Sequence, residues 1–268
     1  MVKVSVLIPS RDGEKTLPTT LHSLLNQQAD VFITVANDAS IDSTLKILED
    51  FKESGRVEYV TYPRREPKNY ARVPALINLA REVAPVAEYY MISGDDTFYP
   101  PDYIRKVCDY MKRDGVHIAS GNDVRKTRKK TSSPSGSGRI LTIKAWRELT
   151  PFPESIVWET GSLYKANMLG MKTAVYPVRM IHLRPYSVKS LWTFGHAAHI
   201  LGIPLLITLG RVVKSIVRRK YSPLGSLSIL LGQIEYILRK VKKADIAPYI
   251  RNNKYLQSAQ KLKSFFVR

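Results

Sequence analysis

At 268 residues and 44% hydrophobic content the chain can bury a substantial core, which excludes a disordered protein. Its single cysteine, Cys108, excludes an internal disulfide framework and a cysteine-rich zinc site, and fits a reducing compartment. The net charge of +19 is concentrated: from Arg184 onward 16 Lys and Arg stand against Glu235 and Asp245, a net +14, and the first 183 residues carry the remaining +5.

The opening MVKVSVLIPS enters directly into a strand-like pattern over residues 2–8, without the long apolar core of a signal peptide. The expectation is a chain that stays on the cytoplasmic side. A helix follows over 14–27, with Leu17, Leu21, Leu24 and Leu25 on its apolar side, then a strand over 31–36 and a helix over 41–51. Residues 57–61 read as a third strand, 70–83 as a third helix and 87–92 as a fourth strand. The alternation βαβαβαβ predicts an α/β fold with a mostly parallel sheet covered by helices on both faces. Ligands of such sheets gather beyond the carboxyl ends of the strands.

Three of these strand ends carry polar groups. The first runs into Pro9-Ser10-Arg11-Asp12-Gly13, the second into Asn37-Asp38-Ala39-Ser40-Ile41-Asp42, and the fourth into Ser93-Gly94-Asp95-Asp96. Two adjacent carboxylates repel unless a cation or a proton is shared, and hard oxygen donors suit Mg²⁺ or Mn²⁺. The alternative is that Asp95 or Asp96 caps a helix beginning near Pro101. The segment 125–139, RKTRKKTSSPSGSGR, reads as a mobile loop and a candidate lid, with a plain solvated loop as the alternative. Beyond it come Trp158-Glu159-Thr160-Gly161, a helix reaching Leu169, and a strand over 175–182.

VSVLIPSRDGEKTLPTTLHSLLNQ, VANDASIDSTLKIL with its D-x-S-x-D-x-T turn, NYARVPALINLA and SGDD stand in this order along the chain. Together they resemble the family 2 glycosyltransferases of the GT-A, Rossmann-like fold, the nucleotide-diphospho-sugar transferase type, over residues 2–186. The resemblance implies that Pro9, Ser10 and Arg11 line a nucleotide pocket and that Asp38 hydrogen-bonds the base; an Asx turn is the other use for Asp38. Arg72 is implied to lie near the base or diphosphate, although Val73-Pro74 replaces the asparagine usual after that arginine, and a surface ion pair is the alternative. Asp95 is implied to approach the ribose or sugar, and Asp96 with His182 to hold a divalent metal, Mn²⁺ or Mg²⁺.

The family commonly supplies its catalytic base from an acidic pair after an aromatic residue. Here Trp158-Glu159-Thr160 keeps the aromatic and the glutamate and has threonine for the aspartate, and threonine cannot act as a base near neutral pH. Glu159 is the implied base, in a single inverting displacement; Glu154 or substrate-derived chemistry is the alternative. The implied partners are a nucleotide-diphospho-sugar donor and a glycan or polyprenyl-linked acceptor.

Residues 187–268 form a second region. The apolar stretch 197–210 is shorter than the ~20 residues of a spanning helix and contains His199 and Pro204, so it reads as a helix lying in an interface. Residues 224–241 and 246–266 continue as basic amphipathic helices. Apolar residues among the cations favour an anionic membrane surface over a soluble helical cap or dimer face, and nucleic acid is disfavoured because stacking aromatics are not interleaved with the basic residues. Other readings of the whole chain are a non-catalytic nucleotide-sugar-binding or scaffolding protein and a nucleotidyltransferase, though PSRDGEKTL lacks a glycine-rich phosphate loop. No G-x-G-x-x-G follows the first strand, which argues against a dinucleotide oxidoreductase.

Overall fold

The computed structural model describes residues 3–63, 65, 67, 69–123, 133–185, 188–219, 221–245, 247–248 and 250. The chain divides into two compact units, Met1–Arg184 and Pro185–Arg268.

The first unit is built on an eight-stranded sheet of order β3-β2-β1-β4-β7-β6-β8-β5. β1 (Lys3–Ser10), β2 (Asp30–Asn37), β3 (Val57–Thr61) and β4 (Tyr89–Ile92) are parallel. Beyond β4 the sheet turns mixed. β7 (Arg139–Thr142) runs antiparallel to both β4 and β6 (Ile118–Asp123), β8 (Thr173–His182) is parallel to β6, and the short β5 (Thr97–Phe98) is antiparallel to β8. Two apolar clusters cover the sheet: one gathers Val6, Ile8, Leu17, Leu21 and Met91, the other Leu7, Ile77, Ile92, Trp146 and Trp158. Alternation along β1 sends Leu7 to one side and Val6 and Ile8 to the other. Each such buried side chain is worth about 1.5–3 kcal/mol.

The helices begin later than their periodicity suggests, because the strand-end loops claim the intervening residues. Helix α1 starts at Leu17 (Leu17–Leu25), with Pro18 in its first turn, where a missing N–H costs nothing. Ahead of it the Gly13 N–H donates to Thr44 Oγ1 and the Glu14 N–H to Asp42. Helix α2 (Thr44–Lys52) starts three residues after the predicted point because the Ile41 N–H is held by Asp12 Oδ1. The third predicted helix is a 3-10 turn, Tyr70–Arg72, followed by α3 (Val73–Val83). Asn69 Oδ1 accepts from the Ala71 N–H, and Pro74 again occupies a first turn.

Helix α4 (Tyr103–Asp114) has Asp102 at its N-cap, so neither Asp95 nor Asp96 caps it. Helices α5 (Ile143–Leu149) and α6 (Trp158–Met168) complete the unit.

The second unit contains α7 (Val188–Ile200), α8 (Leu205–Val217) and α9 (Pro223–Leu238). The apolar stretch 197–210, expected as one helix, is divided between the end of α7 and the start of α8, because Gly202 takes a positive φ of 67° and Pro204 follows. Most of the predicted helix 246–266 lies outside the described residues. Among the described residues no helix is long and apolar enough to cross a membrane.

Candidate functional site

The ends of β1, β2 and β4 lie side by side, with Ser10 paired to Asn37 and Leu7 to Ile92. At the β1–β2 corner Asp38 is buried between two guanidinium groups. Arg11 Nη1 lies 3.2 Å from its Oδ2 and Arg72 Nη2 2.9 Å from its Oδ1. All three side chains are about nine-tenths buried, and Arg72 also lies over the Tyr62 ring, 4.1 Å from its centroid. Arg72 is therefore in a buried rather than a surface ion pair. The Asx-type turn at this corner belongs to Asn37, whose Oδ1 accepts from the Ser40 N–H at 3.2 Å. Ser40, Asp42 and Thr44 of the D-x-S-x-D-x-T segment brace the β1–α1 loop by taking the N–H groups of Asp12, Glu14 and Gly13.

At the β4 end Asp95 and Asp96 form the turn into β5. Asp95 is buried; its Oδ2 accepts from Ser10 Oγ at 3.0 Å and its Oδ1 from Arg184 Nη2 at 2.6 Å. The same guanidinium donates to Thr16 Oγ1 at 2.9 Å, and its Nε lies 3.8 Å from Asp96 Oδ2. Burial pushes the Asp95 carboxyl up and the Asp96 charge adds to this, while Arg184 and Ser10 pull the other way. Gly13 makes the approach feasible, since a Cβ there would come within 3.0 Å of Asp95 Oδ2. Pro9, half-buried at the end of β1, pairs with Ala36.

His182 closes β8 opposite Thr97, and its Nδ1 lies 3.1 Å from Thr97 Oγ1. The Leu183 N–H donates to the Asp96 carbonyl at 2.6 Å, which ties the end of β8 to the carboxylate turn. A divalent cation fits the chemistry of these donors, a carboxylate and an imidazole. No group of three or more His, Cys, Asp or Glu able to hold a metal occurs among the described residues, so a cation here would need ligand oxygens from a bound substrate.

Glu159 sits in the first turn of α6, half-buried, with its Oε1 accepting from the Tyr70 hydroxyl at 2.6 Å. Its carboxylate lies directly over Gly136, where a Cβ would overlap it. One residue on, Ser137 Oγ accepts from the Gly94 N–H at 2.9 Å and meets Thr97 Oγ1 at 2.8 Å. Arg139, fully buried, donates to the carbonyls of Ser135 and Glu159 and to Ser162 Oγ, and desolvation lowers its pKa.

The segment predicted as a lid is thus two things: residues 125–132 lie outside the described residues, and 133–139 are a packed strut joining Glu159 to the carboxylate turn. Glu154 is exposed.

Sequence reasoning missed Arg184, Ser137 and Tyr70. No local pattern pointed to Arg184, whose contact with Asp95 joins residues far apart in the chain.

The family model described as Glycosyl transferase family 2 matches residues 5–189. No curated protein matches the chain. Among solved structures, a Pyrobaculum calidifontis mannosyltransferase, PcManGT, in complex with GDP-Man and Mn²⁺, is similar with a TM-score of 0.67 at 14% identity. The alignment covers 90% of this chain and 89% of that one. S. aureus TarS aligns with a TM-score of 0.55 at 15% identity over 76% of this chain, which spans 40% of the length of TarS. Residues 1–349 of TarS in complex with UDP-GlcNAc give 0.53 at 15% identity, covering 74% and 66%. With its sheet, its strand-end site and the family match over most of its length, the chain has the GT-A fold and belongs to glycosyl transferase family 2.

Proposed function

We propose that this protein transfers a sugar, with inversion, from a nucleotide-diphospho-sugar to a hydroxyl acceptor. The observation that carries the reading is the charge arrangement at the strand ends. Two guanidinium groups and one carboxylate stand at the Asp38 corner, two carboxylates and one guanidinium at the Asp95–Asp96 turn. The first would receive the nucleotide: Asp38 accepts an N–H of the base, Pro9 and Ser10 line the pocket, and Arg11 and Arg72 face base or diphosphate. Asp95 orients ribose or sugar through the oxygen edge that Ser10 and Arg184 fix in place.

Asp96 and His182 would hold Mn²⁺ or Mg²⁺, which when bound would offset the charge developing on the departing nucleoside diphosphate. Glu159, oriented by Tyr70, takes the acceptor proton as the acceptor oxygen attacks the anomeric carbon. The acceptor we favour is lipid-linked, a polyprenyl carrier or a glycan on one, with the basic second unit attached to an anionic membrane surface. Arg184 supports a second reading, in which a guanidinium rather than a metal ion balances the acids and follows the diphosphate.

The test is calorimetric titration of UDP, GDP, UDP-GlcNAc and GDP-mannose with and without Mn²⁺, on wild type and Asp96→Ala, followed by a transfer assay. Metal-dependent binding that the substitution abolishes supports the site. Metal-independent binding that Arg184→Met abolishes supports the second reading. Binding without turnover returns the protein to a nucleotide-sugar-binding scaffold, and release of pyrophosphate in place of nucleoside diphosphate would make it a nucleotidyltransferase.

A further inference from the structure

Helices α8 and α9 of the second unit are packed inside out. Helix α8 buries Thr208, Val212 and Ser215 and exposes Leu206, Leu209, Val213 and Val217, which recur at spacings of three and four on one face. Helix α9 buries Gly225, Ser226, Ser228, Gly232 and Gln233 and exposes Leu224, Leu227, Leu231 and Leu238. The exposure is large: 79% for Leu206, 77% for Val217, 66% for Leu224 and 76% for Leu238.

Where the helices meet, small residues and hydrogen bonds stand beside the buried Leu191, Leu201 and Ile203. A Cβ on Gly195 of α7 would run into the Ile229 carbonyl, and one on Gly232 into the Trp192 carbonyl, so the two backbones touch. Ser226 Oγ donates to Ser215 Oγ at 3.0 Å, and Gln233 Nε2 to the Ile203 carbonyl at 2.6 Å.

In water this arrangement forgoes about 1.5–3 kcal/mol for every leucine left outside, and soluble monomers rarely expose contiguous apolar stripes of this extent. Among acyl chains leucine gains nothing by turning inward, and small residues with interhelical hydrogen bonds make the contact. The charges fit the same environment. Arg211, Lys214 and Arg218 line the edge of the α8 apolar face at spacings of three and four, and Arg239, Lys240, Lys242 and Lys243 follow α9. The acid among the helices, Glu235, is engaged internally by Trp192, His196 and Arg239. With 13 and 16 residues, α8 and α9 are about 20 and 24 Å long, short of the ~30 Å hydrocarbon core.

We infer that α7–α9 insert into one leaflet of an anionic membrane, the exposed leucine and valine faces of α8 and α9 among the acyl chains and the flanking Arg and Lys at the phosphates. This deepens the membrane attachment proposed above and rests on it.

The experiment uses the full chain carrying an environment-sensitive fluorophore on one introduced cysteine, at Val213, Leu231, Lys214 or Glu53; the native Cys108 is buried. The probes are phosphatidylcholine vesicles with and without phosphatidylglycerol, their acyl chains brominated. Labels at 213 and 231 should be quenched several-fold in anionic vesicles, the label at 214 less and the label at 53 not at all, and the quenching should survive molar salt, which screens surface charge.

L206S/V213S/L231S should weaken vesicle binding more than about tenfold while nucleotide titration of the first unit stays unchanged. Binding that salt fully reverses, without quenching, would leave surface attachment standing and overturn insertion. Absence of vesicle binding overturns both, and a dimer that keeps 213 and 231 shielded in the presence of vesicles overturns insertion.

Discussion

The two acidic corners of the sheet are built from the same residue types in opposite proportion. At Asp38 two buried guanidinium groups hold one carboxylate, an excess of one positive charge. At Asp95 and Asp96 one partly exposed guanidinium faces two carboxylates, an excess of one negative charge. Each oxygen of the first corner's acid has a guanidinium beside it, although Asp38 Oδ1 and Arg11 Nε make no hydrogen bond there. At the second, burial raises the pKa of Asp95 despite Arg184. A corner with spare positive charge suits an anion and one with spare negative charge suits a cation, so a metal-bound diphosphate would complement both. The difference also separates two kinds of substitution: those that damage stability and those that damage chemistry.

The largest effect is expected at neither corner but at the group they serve. Glu159→Gln should lower kcat by about 10²–10⁴-fold, the range of a general base, with donor affinity and the unfolding midpoint unchanged. A folded variant with near-normal transfer would remove Glu159 from the mechanism. Asp38→Ala should be the most destabilising change at the site. It leaves two buried guanidinium groups with no counterion, a loss of about 3–5 kcal/mol, read as the shift in a urea unfolding curve. If it merely weakened nucleotide binding, the counterion role of Asp38 at that corner would fail.

Arg184→Met sharpens the contrast from the other side. It turns an excess of one negative charge into two, and Mn²⁺ affinity measured with nucleotide present should rise about tenfold. A fall in nucleotide affinity with Mn²⁺ affinity unaltered would assign Arg184 to the phosphates.

Much of this corner chemistry is legible in the sequence, because an apolar run ending abruptly in polar residues marks a strand end, and strand ends are where such sheets bind ligands. Asp38, Asp95 and Asp96 declare themselves that way. Arg184 does not, since its contact with Asp95 depends on β5 pairing antiparallel with β8, a connection between residues 89 positions apart that no local pattern encodes. Ser137 and Gly136 were hidden for a different reason. A Ser/Gly-rich run reads as loop whether its backbone is solvated or pressed against a carboxylate, as here at Glu159. In the second unit periodicity announces amphipathic helices but leaves open which side faces inward, and there the small, polar side does.

A third acid next to the Asp38 corner calibrates the comparison, because it has the same kind of partner without the burial. Asp12 receives Arg65 through two hydrogen bonds, Nη1 to Oδ1 at 3.1 Å and Nη2 to Oδ2 at 2.8 Å, with both side chains 34% exposed. The bidentate guanidinium brings its pKa down from 3.8 to about 2. A folded-state pKa below the unfolded one means the unfolded chain binds the proton more readily, so the stabilisation is complete above 3.8 and disappears as pH falls through about 2. Solvent screens a pair this exposed, which limits it to about 0.5–1 kcal/mol at neutral pH. Asp12→Asn is the suitable probe, because Asp12 has a positive φ of 52°, a conformation that Asn adopts at less cost than Ala. Urea unfolding of wild type and Asp12→Asn should differ by that amount at neutral pH and converge near pH ~2. A difference as large as that for Asp38→Ala would mean that pairing, and not burial, sets the energetics of all three acids.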